Sequence, residues 1–85
     1  SYGKAFKYFL HAAEHGIRES QYNLAILYER GFGGEASNEL ALKYYRLAAE
    51  QQDRFACHKL GVFYANGQKG LSQSYQEALK YFKIA

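Results

Sequence analysis

The sequence predicts an all-α chain of stacked helix pairs, and three observations predict it. Blocks of sequence recur 36 residues apart: Ala5 to Gly16 (AFKYFLHAAEHG) returns as Ala41 to Gln52 (ALKYYRLAAEQQ), and Asn23 to Gly31 (NLAILYERG) as Lys59 to Gly67 (KLGVFYANG). Apolar residues within a block follow helical spacing, as Leu24, Ala25, Leu27 and Tyr28 do, with no period of two. The chain has no Pro and is rich in Ala, Leu, Lys and Glu, which favours helix over sheet. A period in the thirties marks stacked helical hairpins, each needing a neighbour to bury its apolar face.

The elements follow in order. A first helix is expected over about residues 1–15, opened by Ser1, four residues before Ala5, where a Ser side chain can accept from an orphan N–H of the first turn. A second is expected over about 18–30. Gly31 follows its last periodic residues, where a C′ residue often takes positive φ. Gly31, Gly33 and Ala36 also spell G-x-G-x-x-A, the form of a dinucleotide-binding turn, but that turn needs a strand before it and here a helix precedes. Gly31 therefore stops a helix, Gly33 and Gly34 carry the reversal, and no cofactor is expected. The third helix, about 37–51, opens at Ser37, and the fourth, about 54–66, stops at Gly67. Gly67 and Gly70 serve the next turn, GQKGLSQS, which is one residue longer. The fifth, about 74–85, opens at Ser74 with Glu77 three residues on, the reciprocal capping-box pattern. Leu24, Tyr28, Leu60 and Tyr64 read as core. Ala25 and Gly61 read as small residues at a close helix approach, which would compensate the ~1 kcal/mol that a mid-helix Gly costs against Ala.

Composition limits the possibilities further. Eighty-five residues make at most one small domain, burying only about 60% of its unfolded surface. With 48% apolar and 18% aromatic residues the chain is no disordered tail. Eleven Lys and Arg against eight Asp and Glu leave a charge of +3, short of the dense basic patch of a dedicated nucleic-acid binder. Cys57 is the single cysteine, which excludes an internal disulfide framework and favours a reducing compartment such as the cytoplasm. No signal peptide and no run of about 18 apolar residues is present in the sequence.

The pattern Leu24-Ala25-x-Leu27-Tyr28-x-x-Gly31-x-Gly33, then Ala41-x-x-Tyr44-Tyr45-x-x-Ala48-Ala49, resembles the Sel-one-like repeat, a relative of the tetratricopeptide repeat with a longer internal turn. Leu60-Gly61-x-Phe63-Tyr64-x-x-Gly67 fits it again, so the resemblance covers essentially the whole chain. Gln52 departs from it, standing where the family prefers the Gly seen at Gly16. The resemblance implies a right-handed α-α superhelix of antiparallel helix pairs, about two and a half repeats in five helices, as a slice of a longer array. It also implies that the first helix of each unit lines a concave groove. Matching positions are Glu19, Tyr22, Asn23, Ile26, Glu29 and Arg30 from one unit, and Phe55, His58, Lys59, Val62, Ala65 and Asn66 from the next. Each set keeps the i, i+3, i+4, i+7 spacing of one helix face.

Little here carries chemistry. His11 and His15 have the i, i+4 spacing of a zinc pair, but no H-E-x-x-H motif and no third ligand accompany them, so no metal is expected. Cys57 and His58 are sequence neighbours, point about 100° apart on a helix and cannot act on each other; Cys57 reads as a small core residue. The expectation is a non-enzymatic scaffold that docks a peptide segment or partner helix in the groove, with aromatic and aliphatic residues gripping and Asn23, His58 and Lys59 donating. Two alternatives stay open. One is an RNA-associated or organellar-complex assembly subunit using a convex basic stripe of Lys7, Lys43, Arg46, Lys80 and Lys83. The other is a regulatory repeat arm of a larger multidomain protein.

Overall fold

Helix starts follow from side chains that satisfy orphan N–H groups. The computed structural model describes residues 2–85, so the cap expected at Ser1 lies outside the described residues. Its five helices are α1 (Tyr2–Glu14), α2 (Arg18–Arg30), α3 (Asn38–Glu50), α4 (Arg54–Asn66) and α5 (Tyr75–Phe82). Ser37 Oγ accepts from the Leu40 N–H at 3.1 Å and Ser74 Oγ from the Glu77 N–H at 3.2 Å. The reciprocal half of the capping box is not formed. The Ser74 N–H instead donates to the Tyr64 carbonyl at 2.9 Å, just as the Ser37 N–H donates to the Tyr28 carbonyl at 2.9 Å. Each serine thus starts one helix and ties its own backbone to the helix before. Asp53 caps α4 through the Ala56 N–H at 2.9 Å, a start that the recurring serines do not mark. The helical stretch of α5 stops short of the expected residue 85, where the Ile84 and Ala85 N–H groups fold back onto the Tyr81 carbonyl.

Four helices end in one way, with an N–H reaching back five residues to a carbonyl: Ile17 to Ala12, Phe32 to Leu27, Asp53 to Ala48 and Gln68 to Phe63, all between 2.9 and 3.2 Å. The residue before each of those donors is left-handed. Three are Gly16, Gly31 and Gly67; the fourth is Gln52, at φ 62°. Gly31 is doubly constrained, because a Cβ there would also stand 3.2 Å from the Ala36 nitrogen.

Each helix packs chiefly on its neighbours in sequence, giving an elongated stack of 37 × 23 × 15 Å. The molecule is an all-α helical-repeat solenoid. Leu24, Ala25, Tyr45, Ala48, Ala56, Cys57 and Leu60 are fully buried between its layers, and each large aliphatic among them contributes about 1.5–3 kcal/mol on leaving water. The expected core residues Tyr28 and Tyr64 are only half-buried. They stack face to face on Tyr44 and Tyr81, at centroid distances of 5.8 and 5.9 Å, one pair per repeat. Gly61 is small because the Phe82 ring of α5 lies where its Cβ would be. Burial pushes the Cys57 thiol pKa up, the Asp53 charge adding to the shift, which disfavours the reactive thiolate.

Candidate functional site

The first turns of α2 and α4 open on one side of the stack, around a depression of about 650 Å³. Arg18, Glu19, Tyr22 and Asn23 line it from α2, and Arg54, Phe55 and His58 from α4. Gln52 and Asp53, in the connecting turn, and Ala85 complete the lining. Phe55 is 69% exposed. Its ring centroid lies 5.6 Å from that of Tyr22, which sits 5.9 Å from that of the fully buried Tyr45. The exposed ring is thus the end of an aromatic chain rooted in the core. Burial raises the Tyr22 pKa, and the nearby Asp53 charge adds to the shift.

Hydrogen bonds tie together the turns that lead into α2 and α4. Gln51 Nε2 donates to the Gly16 carbonyl and to Gln21 Oε1, both at 2.9 Å, and Arg18 Nη1 donates to the Gln51 carbonyl at 2.9 Å. These bonds join the α1–α2 turn to the α3–α4 turn, so both walls are held by one network. Arg18 Nε also meets Glu19 at 3.3 Å. Among the described residues no buried side-chain polar atom lacks a partner.

Of the residues expected in the groove, Glu19, Tyr22, Asn23, Phe55 and His58 come together here. Ile26 is half-buried against the core, Val62 and Ala65 are half-buried, and Arg30 and Asn66 are exposed at the far ends of α2 and α4. Lys59 is 3.7 Å from Glu29, which is also 3.3 Å from Lys69 and accepts from Tyr45 Oη at 2.5 Å. Only 13% of the Glu29 side chain is exposed. Burial alone would raise its pKa, but the Tyr45 hydrogen bond and the two lysines outweigh burial and hold it below the ordinary carboxylate value. Glu29 and Lys59 thus brace α2, α3, α4 and the following turn against one another.

The connecting-turn residues Gln52 and Asp53, with Arg18 and Arg54 beside such turns, escape a reading based on the groove-facing stripe of each helix. The available signal was Gln52 itself, a non-glycine at a position that otherwise takes Gly. The five basic positions Lys7, Lys43, Arg46, Lys80 and Lys83 are exposed on α1, on α3 and at α5. Lys43 lies 5.2 Å over the Tyr44 ring and Arg46 donates to Tyr64 Oη at 3.4 Å. His15 Nδ1 donates to the His11 carbonyl at 2.9 Å, a helix-end contact. Among the described residues no three His, Cys, Asp or Glu are grouped to hold a metal, and no helix is long and apolar enough to cross a membrane.

Comparison with known proteins places this geometry. The family model described as Sel1 repeat matches residues 1–17, 18–53 and 54–85. The chain is 39% identical over 57 residues to the chitin synthase regulator SKT5 of Saccharomyces cerevisiae, a match spanning 67% of this chain and 8% of that one. It is 38% identical over 64 residues to the putative sel1-like repeat-containing protein L21 of Acanthamoeba polyphaga mimivirus, spanning 75% and 11%. The chain thus spans only about a tenth of the length of these relatives. The crystal structure of a Sel1 repeat protein from Oxalobacter formigenes superimposes at a TM-score of 0.93 with 35% identity, over 99% of this chain and 34% of that one. That of c5321, a protective antigen present in uropathogenic Escherichia coli strains and displaying an SLR fold, gives 0.91 with 27% identity, over 99% and 18%.

Proposed function

The chain belongs to the Sel1 repeat family, and from that premise we propose that it is a non-enzymatic adaptor that docks a segment of a partner protein in the depression between α2 and α4. Sel1 repeats generally mediate protein–protein interaction. The observation that carries the finer reading is Phe55, an aromatic ring 69% exposed at the mouth of a braced depression. Exposed aromatics seated on rigid supports are what interfaces use as anchors. A relative whose name makes it a regulator of chitin synthase is in keeping with an adaptor that serves a catalyst lying elsewhere. The test is affinity purification of the tagged full-length protein beside a Phe55→Ser, His58→Asp variant that keeps its helical circular dichroism. Lys59 is left intact because it braces Glu29. Loss of one discrete protein partner supports docking at this site; retention of every partner refutes it.

We also read the stack as one stretch of a longer array. Leu42 on α3 is 7% exposed and belongs to the core, whereas its repeat-equivalent on α5, Leu79, is 59% exposed. A further helix packed on α5 would bury Leu79 to the same degree. The exposure of Lys7, Lys43, Arg46, Lys80 and Lys83 supports a second reading, contact with nucleic-acid phosphates. Replacing Lys7, Lys43 and Lys80 would then reduce the salt dependence of RNA binding by about one unit of slope per contact.

A further inference from the structure

We propose that the occupant of the depression is a peptide segment that sets a carboxylate side chain beside a bulky apolar one, the carboxylate on Arg54 and the apolar side chain on Phe55. This rests on the docking reading above and specifies its ligand.

The charges in the lining decide the sign. Arg18 is already committed to Glu19 at 3.3 Å and to the Gln51 carbonyl at 2.9 Å. The Asp53 carboxylate is committed to the first turn of α4 through the Ala56 N–H. The Arg54 side chain is exposed and, among the described residues, makes neither a hydrogen bond nor an ion pair. It is therefore the uncommitted fixed charge of the lining, and its planar fork of donors matches a carboxylate. The side chain of Asn23, half-buried opposite on α2, likewise makes no hydrogen bond within the described residues and offers an amide donor to the same ligand. Beside them the Phe55 ring, backed by Tyr22 at 5.6 Å, gives an apolar side chain a rigid surface to cover. The unpaired Arg54 guanidinium thus selects one carboxylate rather than a strongly acidic segment.

Arginine and an exposed aromatic ring would also serve single-stranded nucleic acid, by phosphate contact and base stacking. Here the lining disfavours it. Glu19 and Asp53 put two carboxylates in the same depression, where a backbone bringing a phosphate with every nucleotide would be repelled. A peptide can bring a single negative charge to Arg54 and pass the rest uncharged.

The experiment is selection of short random peptides on phage against the immobilised protein, followed by fluorescence anisotropy with the enriched peptides and with labelled oligouridylate. Enriched sequences are expected to carry Asp or Glu next to Phe, Leu or Ile. Arg54→Gln and Phe55→Ser, checked for unchanged circular dichroism, should each weaken binding by about tenfold or more, the first by losing a charge-assisted contact and the second by losing an aromatic anchor. Arg54→Glu should select basic peptides instead. If Phe55→Ser abolishes binding but the peptides lack acidic residues and Arg54→Gln changes nothing, the docking site stands and the acidic ligand does not. Peptides that bind Phe55→Ser undiminished, or no enrichment at all, overturn both. Oligouridylate binding that Arg54→Gln abolishes overturns the peptide in favour of nucleic acid.

Discussion

Tyr45→Phe isolates one interaction with almost no change in packing, since the fully buried ring stays and only its hydroxyl goes. That hydroxyl donates to Glu29, whose side chain is 13% exposed and otherwise faces Lys69 at 3.3 Å and Lys59 at 3.7 Å. A hydrogen bond to a charged group contributes about 1.5–3 kcal/mol, because breaking it strands a poorly hydrated carboxylate. For a domain this small, a loss of about 2 kcal/mol should lower Tm by roughly 10 °C. Thermal and urea melts followed by far-ultraviolet circular dichroism measure it. In a double-mutant cycle, Tyr45→Phe and Glu29→Gln should couple by about 1 kcal/mol or more, since the two groups touch.

Proton linkage supplies an independent check. The Glu29 pKa is lower in the folded chain than its ordinary 4.5, so its stabilising contribution is present above that value and is lost as the pH falls through the folded one. Glu29→Gln should lack that share of the acid loss. Tyr45 behaves in the opposite sense. Burial first, and then the hydrogen bond to Glu29, raise its pKa above the ordinary 10.0, so its contribution is complete below pH 10.0 and is lost as the pH rises beyond it. Tyr45→Phe should lack this alkaline loss. A Tyr45→Phe protein that melts with the wild type at neutral pH refutes the brace.

Three further perturbations test the rest of the fold. Leu60→Ala empties a fully buried site and should cost about 2–5 kcal/mol, enough to blunt the cooperative urea melt; an unchanged melt puts Leu60 outside the core. Gln52→Gly relieves a left-handed residue at φ 62° and should raise stability by about 0.5–1 kcal/mol, whereas Gly31→Val, at φ 73° and facing Ala36, should lower it; equal Tm values for the two variants contradict the shared helix ending. Gly61→Ala gains about 1 kcal/mol of helix propensity but collides with the Phe82 ring, so it should destabilise the wild type and stabilise the Phe82→Ala background.

Much of this architecture was legible because a repeat states its own register. Three copies of Ala-x-x-Tyr-aromatic and two of Leu-small-x-aliphatic/aromatic-Tyr locate the helices, and Gly31 and Gly67 locate their ends. What stayed hidden belongs to contacts between distant positions. Glu29 fits the groove spacing of α2, yet Tyr45 from α3 and Lys69 from the following turn draw it into a brace, and helix periodicity cannot anticipate partners on other elements. Ser74 and Glu77 match a capping box, but the Tyr64 carbonyl takes the N–H that Glu77 would have taken, so a tertiary bond replaces the local one.

Gln52 links these two kinds of information. As a departure from Gly it is visible in the sequence; as a strained residue it matters only because of where it stands. The left-handed ending of α3 would be cheaper with Gly, whose missing Cβ removes the clash, and Gly16 uses it at the equivalent ending of α1. Gln52 instead puts a side chain into the lining of the depression beside Asp53 and Arg54. Strain of this kind is retained where surrounding structure over-determines it, and such positions cluster at binding sites. The Gln51 hydrogen bonds to Gly16 and Gln21 supply that reinforcement, holding the turn while its next residue carries the unfavourable φ. The same turn therefore ends one helix, starts the next through Asp53 and furnishes part of the lining of the depression, which is why the depression lies at this junction between repeats.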